Sequence, residues 1–357
     1  MLEIESHKGP YRVHYDEDAL AALDAAPPAD AHFIIDARVA DIYADEMKAV
    51  LAHPSALLVD ALEENKSLER FPAYVEHLVA NGVRRGHILY AIGGGIVQDI
   101  TCFLAATLLR GVDWHFMPTT LLAQADSCIG SKSSINCGGA KNILGTFTPP
   151  RRISVSTRFL DTLDERDVRS GIGEILKVHA IDGPATFDAM AADFDRLPGD
   201  RALLRKRMQT ALEVKKRYIE LDEFDREARN IFNYGHSFGH AIEAATQFAI
   251  PHGIAVTIGM DMANAAACRI GKGRGEHYRR MRPVLAANYR GFEDVPIPLD
   301  PFLAAISKDK KNTGGGKLTL ILPDAEARLE KGVYANDGGF RDFCRDYLAS
   351  GRSAPVA

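Results

Sequence analysis

Between residues 32 and 111, short apolar runs and helical patterns take turns, and this alternation leaves few folds open. HFIIDA (32–37) predicts a buried strand, ADIYADEMKAVLA (40–52) a helix and SALLVDA (55–61) another strand. SLERFPAYVEHLVANG (67–82) predicts a second helix that closes at Gly82. HILYAIGGG (87–95) is a strand running into glycines, followed by the helical IVQDITCFLAATLLRG. Strands alternating with helices build parallel βαβ units, so this half predicts an α/β domain with a doubly wound parallel sheet. At Gly93, Gly94 and Gly95 the backbone is bare enough to approach a phosphate. The next helix would offer free N–H groups and the positive end of its dipole. This is not the GxGxxG fingerprint, and a tight turn alone also uses glycine. In a βαβ setting, phosphate or dinucleotide binding is the favoured reading.

The stretch 113–150 is glycine-rich and nearly free of charge, and is expected to be a long functional loop. Lys132 and Lys141, set among small residues, suit an anion there. From about residue 151 the pattern turns helical: RDVRSGIGEILKVHAI (166–181), RALLRKRMQTALEVKKRYIELD (201–222) and IAVTIGMDMANAAACRIG (254–271). Glu174 and Lys177, three apart, share a helix face. KLTLILP predicts a late strand. The expected organisation is an α/β domain over 1–150 and a mainly helical domain over 151–357, with ligands in the cleft between them.

NYGHSFGHAIEAATQFAIPHG (233–253) carries three histidines. His236 and His240 lie four apart, so a helix stacks them on one face. Pro251 is expected to end that helix and leave His252 on the following loop. By spacing alone, His236 and His240 are the natural metal pair; ordinary core or surface histidines are the plainer alternative.

Charge and composition narrow the class. The net charge is −5 with no basic block, which argues against nucleic acid as a partner. The longest apolar runs are too short to span a membrane, and MLEIESHKGPYRVHY lacks the layout of a signal peptide. Five cysteines without a CxxC spacing argue against a disulfide framework or a cysteine zinc site. The expectation is a cytoplasmic enzyme.

IGGGIVQD, LLRGVDWHFMPTTLLAQADSCIGSKSSIN, KNILG, GEILK, RNIFNYGHSFGHAIE and HGIAVTIGM occur in an order and at distances that resemble the sugar phosphate cyclases of the 3-dehydroquinate synthase type. The resemblance runs from about residue 56 to residue 322. It implies a Rossmann-like NAD-binding domain, a mostly α-helical metal-binding domain and a homodimer. It implies NAD as cofactor and zinc as metal, with cobalt able to replace it. It puts the metal on Glu174, His236 and His252. It implies NAD contacts at Asp36, Glu63, Lys66, Gly93, Gly94, Gly95, Asp99, Thr119 and Thr120. It gives catalytic roles to Asp126, Lys177, Lys215, Asn233 and His240. Arg110, Lys132, Lys141, Asn142, Arg229 and Lys310 would bind substrate, with Arg110 reaching the neighbouring subunit's site.

The implied reaction converts a seven-carbon keto-sugar phosphate to a carbocycle. NAD oxidises a hydroxyl, phosphate leaves by elimination and the hydride returns. The ring then opens and an aldol step closes the carbocycle. Some residues depart from the pattern: Gln98 stands where glycine is usual, and Thr101-Cys102, Ser131, Ser133, Ile254 and the segment Leu62–Lys66 also differ. His179 is an unusual polar choice near the metal helix. These departures suggest a divergent branch. Lys215 and Arg229, which the resemblance sets on a substrate carboxylate, are retained, and a guanidinium fork suits that task. The expected substrate is therefore the carboxylated one. A cyclase acting on sedoheptulose 7-phosphate is the near alternative, and a metal-dependent polyol dehydrogenase the distant one.

Overall fold

The computed structural model describes residues 1–308 and 316–352, so Lys310 lies outside the described residues. The chain divides into two compact units: Met1–Asp164 with Lys215–Phe224, and Glu165–Val214 with Asp225–Ala357.

The first unit is built on a parallel sheet. Its strands are β1 (Leu2–Ile4), β2 (Tyr11–Tyr15), β3 (Ala31–Asp36), β4 (Ala56–Val59), β5 (Ile88–Gly93) and β6 (Asp113–Pro118). A short hairpin, β7 (Ile135–Cys137) and β8 (Ala140–Leu144), precedes the last sheet strand, β9 (Arg152–Val155). The order is β1-β2-β9-β6-β5-β3-β4, and only the β1–β2 pairing is antiparallel. Ala31 to Ile35 are all buried, as a central parallel strand covered on both faces requires. Helices α1 (Ala19–Ala25), α2 (Ala37–Ile42), α3 (Lys48–Leu51), α4 (Phe71–Ala80) and α5 (Gly95–Thr107) complete the unit. Phe33, Ile35, Val39, Met47, Ile92 and Phe159 share one core.

The sequence expectations need three corrections in this unit. The single helix expected over 40–52 is broken into α2 and α3. Met47 is wholly buried at the break, and the Tyr43 hydroxyl is 3.0 Å from Thr162 Oγ1. Asp24, on α1, accepts from the amides of Ala49 and Val50 at 2.7 and 2.9 Å, so a distant side chain caps α3. Packing overrides local propensity here. The stretch 113–150 is not one loop, since it contains β6, a π-helical turn (Ala123–Ser127) and the β7–β8 hairpin. Trp114, Phe116 and Met117 are buried, which fixes β6 between β5 and β9. The unit also runs past residue 150, because β9 lies inside the sheet and Phe159 inside its core.

The second unit comprises α6 (Glu165–Asp182), α7 (Pro184–Asp193), most of α8 (Arg201–Leu221), α9 (His236–Ala245), α10 (His252–Arg269), α11 (Gly275–Asn288), α12 (Leu299–Ser307) and α13 (Gly338–Asp346). It also contains an antiparallel hairpin, β10 (Lys317–Pro323) with β11 (Leu329–Ala335). α10 is buried along most of its length and is the axis of the unit. Among the described residues no helix is long and apolar enough to cross a membrane. All five cysteines are free.

A buried polar knot ties the C-terminal segment to α10 and α11. Asp261 is fully buried and bonded to Arg282 and to the hydroxyl of Tyr347. Arg282 also donates to the Tyr278 hydroxyl at 2.8 Å and to the Arg352 carbonyl at 3.2 Å. Burial pushes the Asp261 carboxyl up to about 6, although Arg282 pulls it down. Arg282→Met strands that carboxylate, so a loss of about 3–5 kcal/mol is expected. Denaturant unfolding followed by circular dichroism checks this; an unchanged midpoint refutes it.

Candidate functional site

Two close helix approaches assemble a cluster of histidines and a carboxylate. A Cβ on Gly253 would lie 1.8 Å from the Ser170 carbonyl, and one on Gly173 would lie 2.2 Å from the Gly253 carbonyl. Only glycine at both positions lets α6 and α10 meet, and that contact brings Glu174 beside His252. His252 is not on a loop, as expected from Pro251, but is the first residue of α10. The proline supplies the extended N-cap of the next helix instead of only ending the previous one. His236 is the first residue of α9, so both imidazoles sit at helix starts.

Glu174 is fully buried. Its Oε1 is 3.3 Å from His252 Nε2 and 3.6 Å from His236 Nε2, and its Oε2 is 2.6 Å from Lys177 Nζ. Donors about 2.1 Å from a shared tetrahedral ion stand about 3.4 Å apart, so the two nitrogen–oxygen spacings match two edges of such a site. Oε2 is taken up by the Lys177 ammonium, while Oε1 is buried and faces the two imidazole nitrogens, an arrangement that suits a shared cation. The residues fit a divalent metal. Burial alone would raise the Glu174 carboxyl, but Lys177 and His252 hold it well below the usual carboxylate range. Burial alone would lower His252; the Glu243 and Glu174 carboxylates raise it to about 10. His236, His240 and His252 also bring one nitrogen each within 4.8 Å of one another. Two donor sets therefore share His236 and His252: one is closed by Glu174, the other by the more exposed His240.

In the first unit, the glycine turn leads from β5 into α5. A Cβ on Gly93 would press on Val97 Cγ2 at 2.7 Å and stand 3.2 Å from Asp36 Cβ. At Gly94 it would meet Thr120 Cγ2 at 3.0 Å, whereas at Gly95 it would meet nothing within 4 Å. Tight packing beneath and open space above fit a nucleotide phosphate at the start of α5. Asp36, Thr119 and Thr120 gather around this turn, with the Thr119 amide donating to the Gly93 carbonyl at 3.0 Å. Glu63, Lys66 and Asp99 form a neighbouring network. The buried Lys66 amine donates to Asp99 Oδ2 at 3.1 Å and to Asn142 Oδ1 at 3.0 Å, and lies 3.4 Å from Glu63. Burial pushes Asp99 up to about 6, with Lys66 opposing.

Other sequence-derived residues fall into clear settings. Lys215 is ion-paired with Asp126 at 2.7 Å, and Asp126 rides on the π-helical turn. Gln98 and Ser127 bond reciprocally at 2.6 Å, so the residue found where glycine is usual pins that same turn. Arg229 is buried, and the Asn233 amide donates to the Asn230 carbonyl at 3.0 Å. Lys132, Lys141 and Asn142 are exposed. Arg110 is also exposed and, with Leu109, holds a left-handed backbone conformation. His179 bonds back onto its own helix. It is fully buried, its Nδ1 is 2.8 Å from the Ile175 carbonyl, and burial lowers it to about 4. Sequence reasoning missed Glu243, which lies 3.1 Å from His252 Nδ1. Its signal was available: it follows His236 by two helical turns and so shares its face.

A parallel-sheet unit with an open glycine turn and a helical unit with a His/Glu cation site define an enzyme class that pairs a dinucleotide with a metal. Comparison with known proteins gives the family. Models of the 3-dehydroquinate synthase N-terminal and C-terminal domains match residues 56–170 and 171–312. The 3-dehydroquinate synthase of Rhodospirillum rubrum is 38% identical over 311 residues, covering 81% of this chain and 78% of the relative. The chain belongs to the 3-dehydroquinate synthase family. Among solved structures, a 2-deoxy-scyllo-inosose synthase complexed with carbaglucose-6-phosphate, NAD+ and Co2+ superposes with a TM-score of 0.82 at 24% identity, over 97% of this chain and 99% of that one. The 2-epi-5-epi-valiolone synthase of Streptomyces hygroscopicus, with NAD+ and Zn2+ bound, gives 0.80 at 26% identity, over 96% and 97%.

Proposed function

We propose that this protein is an NAD- and divalent-metal-dependent sugar phosphate cyclase, a carbon–oxygen lyase that converts a seven-carbon keto-sugar phosphate to a carbocycle and releases phosphate. The particular activity is that of a 3-dehydroquinate synthase acting on the carboxylated substrate. The observation that carries this is the buried Glu174 with two imidazole nitrogens at tetrahedral-edge spacing, in a chain of this family.

Glu174, His236 and His252 hold the metal, zinc by preference, with positions left for a vicinal diol. The Gly93–Gly95 turn holds NAD, with Asp36, Glu63, Lys66, Asp99, Thr119 and Thr120 as contacts. The metal supplies a Lewis acid and NAD a reversible hydride acceptor. The chain's own groups position charge. Lys177 keeps Glu174 ionised and sets an ammonium at the edge of the centre. His240, more exposed than its two neighbours, is left to meet the substrate phosphate with Asn233. The Asp126–Lys215 pair fixes an ammonium for substrate oxygens, and Arg229 takes the carboxylate. Arg110, Lys132, Lys141, Asn142 and Lys310 contribute charge and hydrogen bonds to the substrate. The protein works as a cytoplasmic homodimer. Catalysis on this plan is mainly electrostatics and positioning, which suits a site rich in fixed cations and poor in conventional bases.

The test is product chemistry. Enzyme with NAD, Zn2+ and the carboxylated keto-sugar phosphate is expected to release phosphate in step with carbocycle, with no build-up of the NADH absorption band. Net NADH equal to turnover would instead identify a polyol dehydrogenase.

A further inference from the structure

Glu243 has no part in the proposed reaction, yet its carboxylate is buried against the metal centre. Its Oε1 is 3.1 Å from His252 Nδ1, while Nε2 of the same ring faces Glu174 at 3.3 Å. His252 is therefore held between two carboxylates. His236 is held differently, its Nδ1 lying 3.2 Å from the Tyr234 carbonyl. Both rings thus have an acceptor at Nδ1, so in its neutral form, once a metal takes the place of the Nε2 proton, each ring turns the Nε2 lone pair to the metal.

The charge count shows why one acceptor is ionic. Glu174 contributes one negative charge, but the Lys177 ammonium stands 2.6 Å from its other oxygen and offsets it. A dication on Glu174 and two neutral imidazoles would keep most of its charge uncompensated in a buried setting, which is costly. We infer that Glu243 is a positioning residue for the metal centre: it accepts the Nδ1–H of His252, fixes that tautomer and ring angle, and supplies the negative charge that Lys177 cancels. A carboxylate behind a ligating histidine makes the ligand more basic, and its loss typically weakens metal binding about 10- to 100-fold. The inference rests on His252 being a metal ligand.

Three full-length variants separate the possibilities. Glu243→Gln keeps an acceptor and removes the charge, Glu243→Ala removes both, and His252→Ala removes the ligand. Metal-free protein is titrated with Co2+ against a chelator, and the visible bands of bound Co2+ report coordination. NAD affinity, measured in parallel, reports a folded chain. Glu243→Gln is expected to bind Co2+ about 10-fold more weakly and Glu243→Ala up to about 100-fold more weakly, with altered Co2+ bands and unchanged NAD affinity. Should Glu243→Ala fail to fold, Glu243→Gln decides alone. Wild-type-like Co2+ affinity in Glu243→Gln, with weak binding in His252→Ala, overturns the role of Glu243 and leaves the metal assignment standing. Wild-type-like Co2+ affinity in His252→Ala overturns both. A purely structural role would lower thermal stability without changing the Co2+ dissociation constant or spectrum.

Discussion

Glu174→Gln is expected to abolish turnover and strip the divalent metal while leaving NAD binding almost intact. The substitution keeps the shape of the side chain and removes only its charge. Two effects follow. On the proposed assignment the metal loses its carboxylate ligand, and Lys177, buried with Glu174 at 2.6 Å, loses that counter-charge. The second effect costs stability, about 3–5 kcal/mol for a broken buried pair. It cannot mimic the first, because a folded variant with normal NAD affinity and no metal isolates the ligand role. A catalytic metal supplies several kcal/mol of charge stabilisation, and each ~1.4 kcal/mol is tenfold in rate, so a fall of about 10³-fold or more is expected. Metal content, phosphate release and NAD titration on one preparation make the measurement. Near-wild-type turnover would show that the carboxylate has been misassigned and would turn attention to the set closed by His240.

The choice between those sets shows where sequence stops being informative. His236 and His240 advertise themselves because helical spacing is local. Glu174 does not, since its place beside His252 depends on α6 and α10 touching at Gly173 and Gly253, a contact between two segments that lie far apart in the chain. The resemblance brought Glu174 in; geometry explains how the fold could deliver it. The βα alternation was legible for the same local reason, as strand and helix periods differ. The break between α2 and α3 was not, because its cause is a cap from Asp24 and the burial of Met47. β6 was hidden in a glycine-rich stretch because its pairing with β5 and β9, not its own pattern, makes it a strand. Pro251 misled because proline ends one helix and can equally precede the next. Gln98 looked like simple divergence; in the fold it grips Ser127 and so braces the turn that carries Asp126.

Arg229→Met is expected to remove activity on the carboxylated substrate selectively. Arg229 is about 5% exposed, so its guanidinium has given up most of its water. A buried fork of this kind is worth keeping only where an anion or several acceptors meet it. A substrate carboxylate is such a partner, whereas sedoheptulose 7-phosphate offers only a neutral hydroxymethyl group at the equivalent end. Truncating one side of a buried charge pair costs about 2–5 kcal/mol, which is about 30-fold to several thousand-fold in kcat/KM. Arg229→Lys keeps the charge but not the two parallel donors, and should fall between wild type and Arg229→Met. On the proposed assignment the wild type should discriminate in the same direction, because only the carboxylated substrate brings an anion to the guanidinium. Phosphate release from each substrate, with each variant, measures all of this together. Release from sedoheptulose 7-phosphate alone would sink the carboxylated assignment. Full activity of Arg229→Met on the carboxylated substrate would sink the role of Arg229 and leave the cyclase chemistry untouched. The two failures differ because the first changes what the wild type accepts, and the second changes only which residue does the accepting.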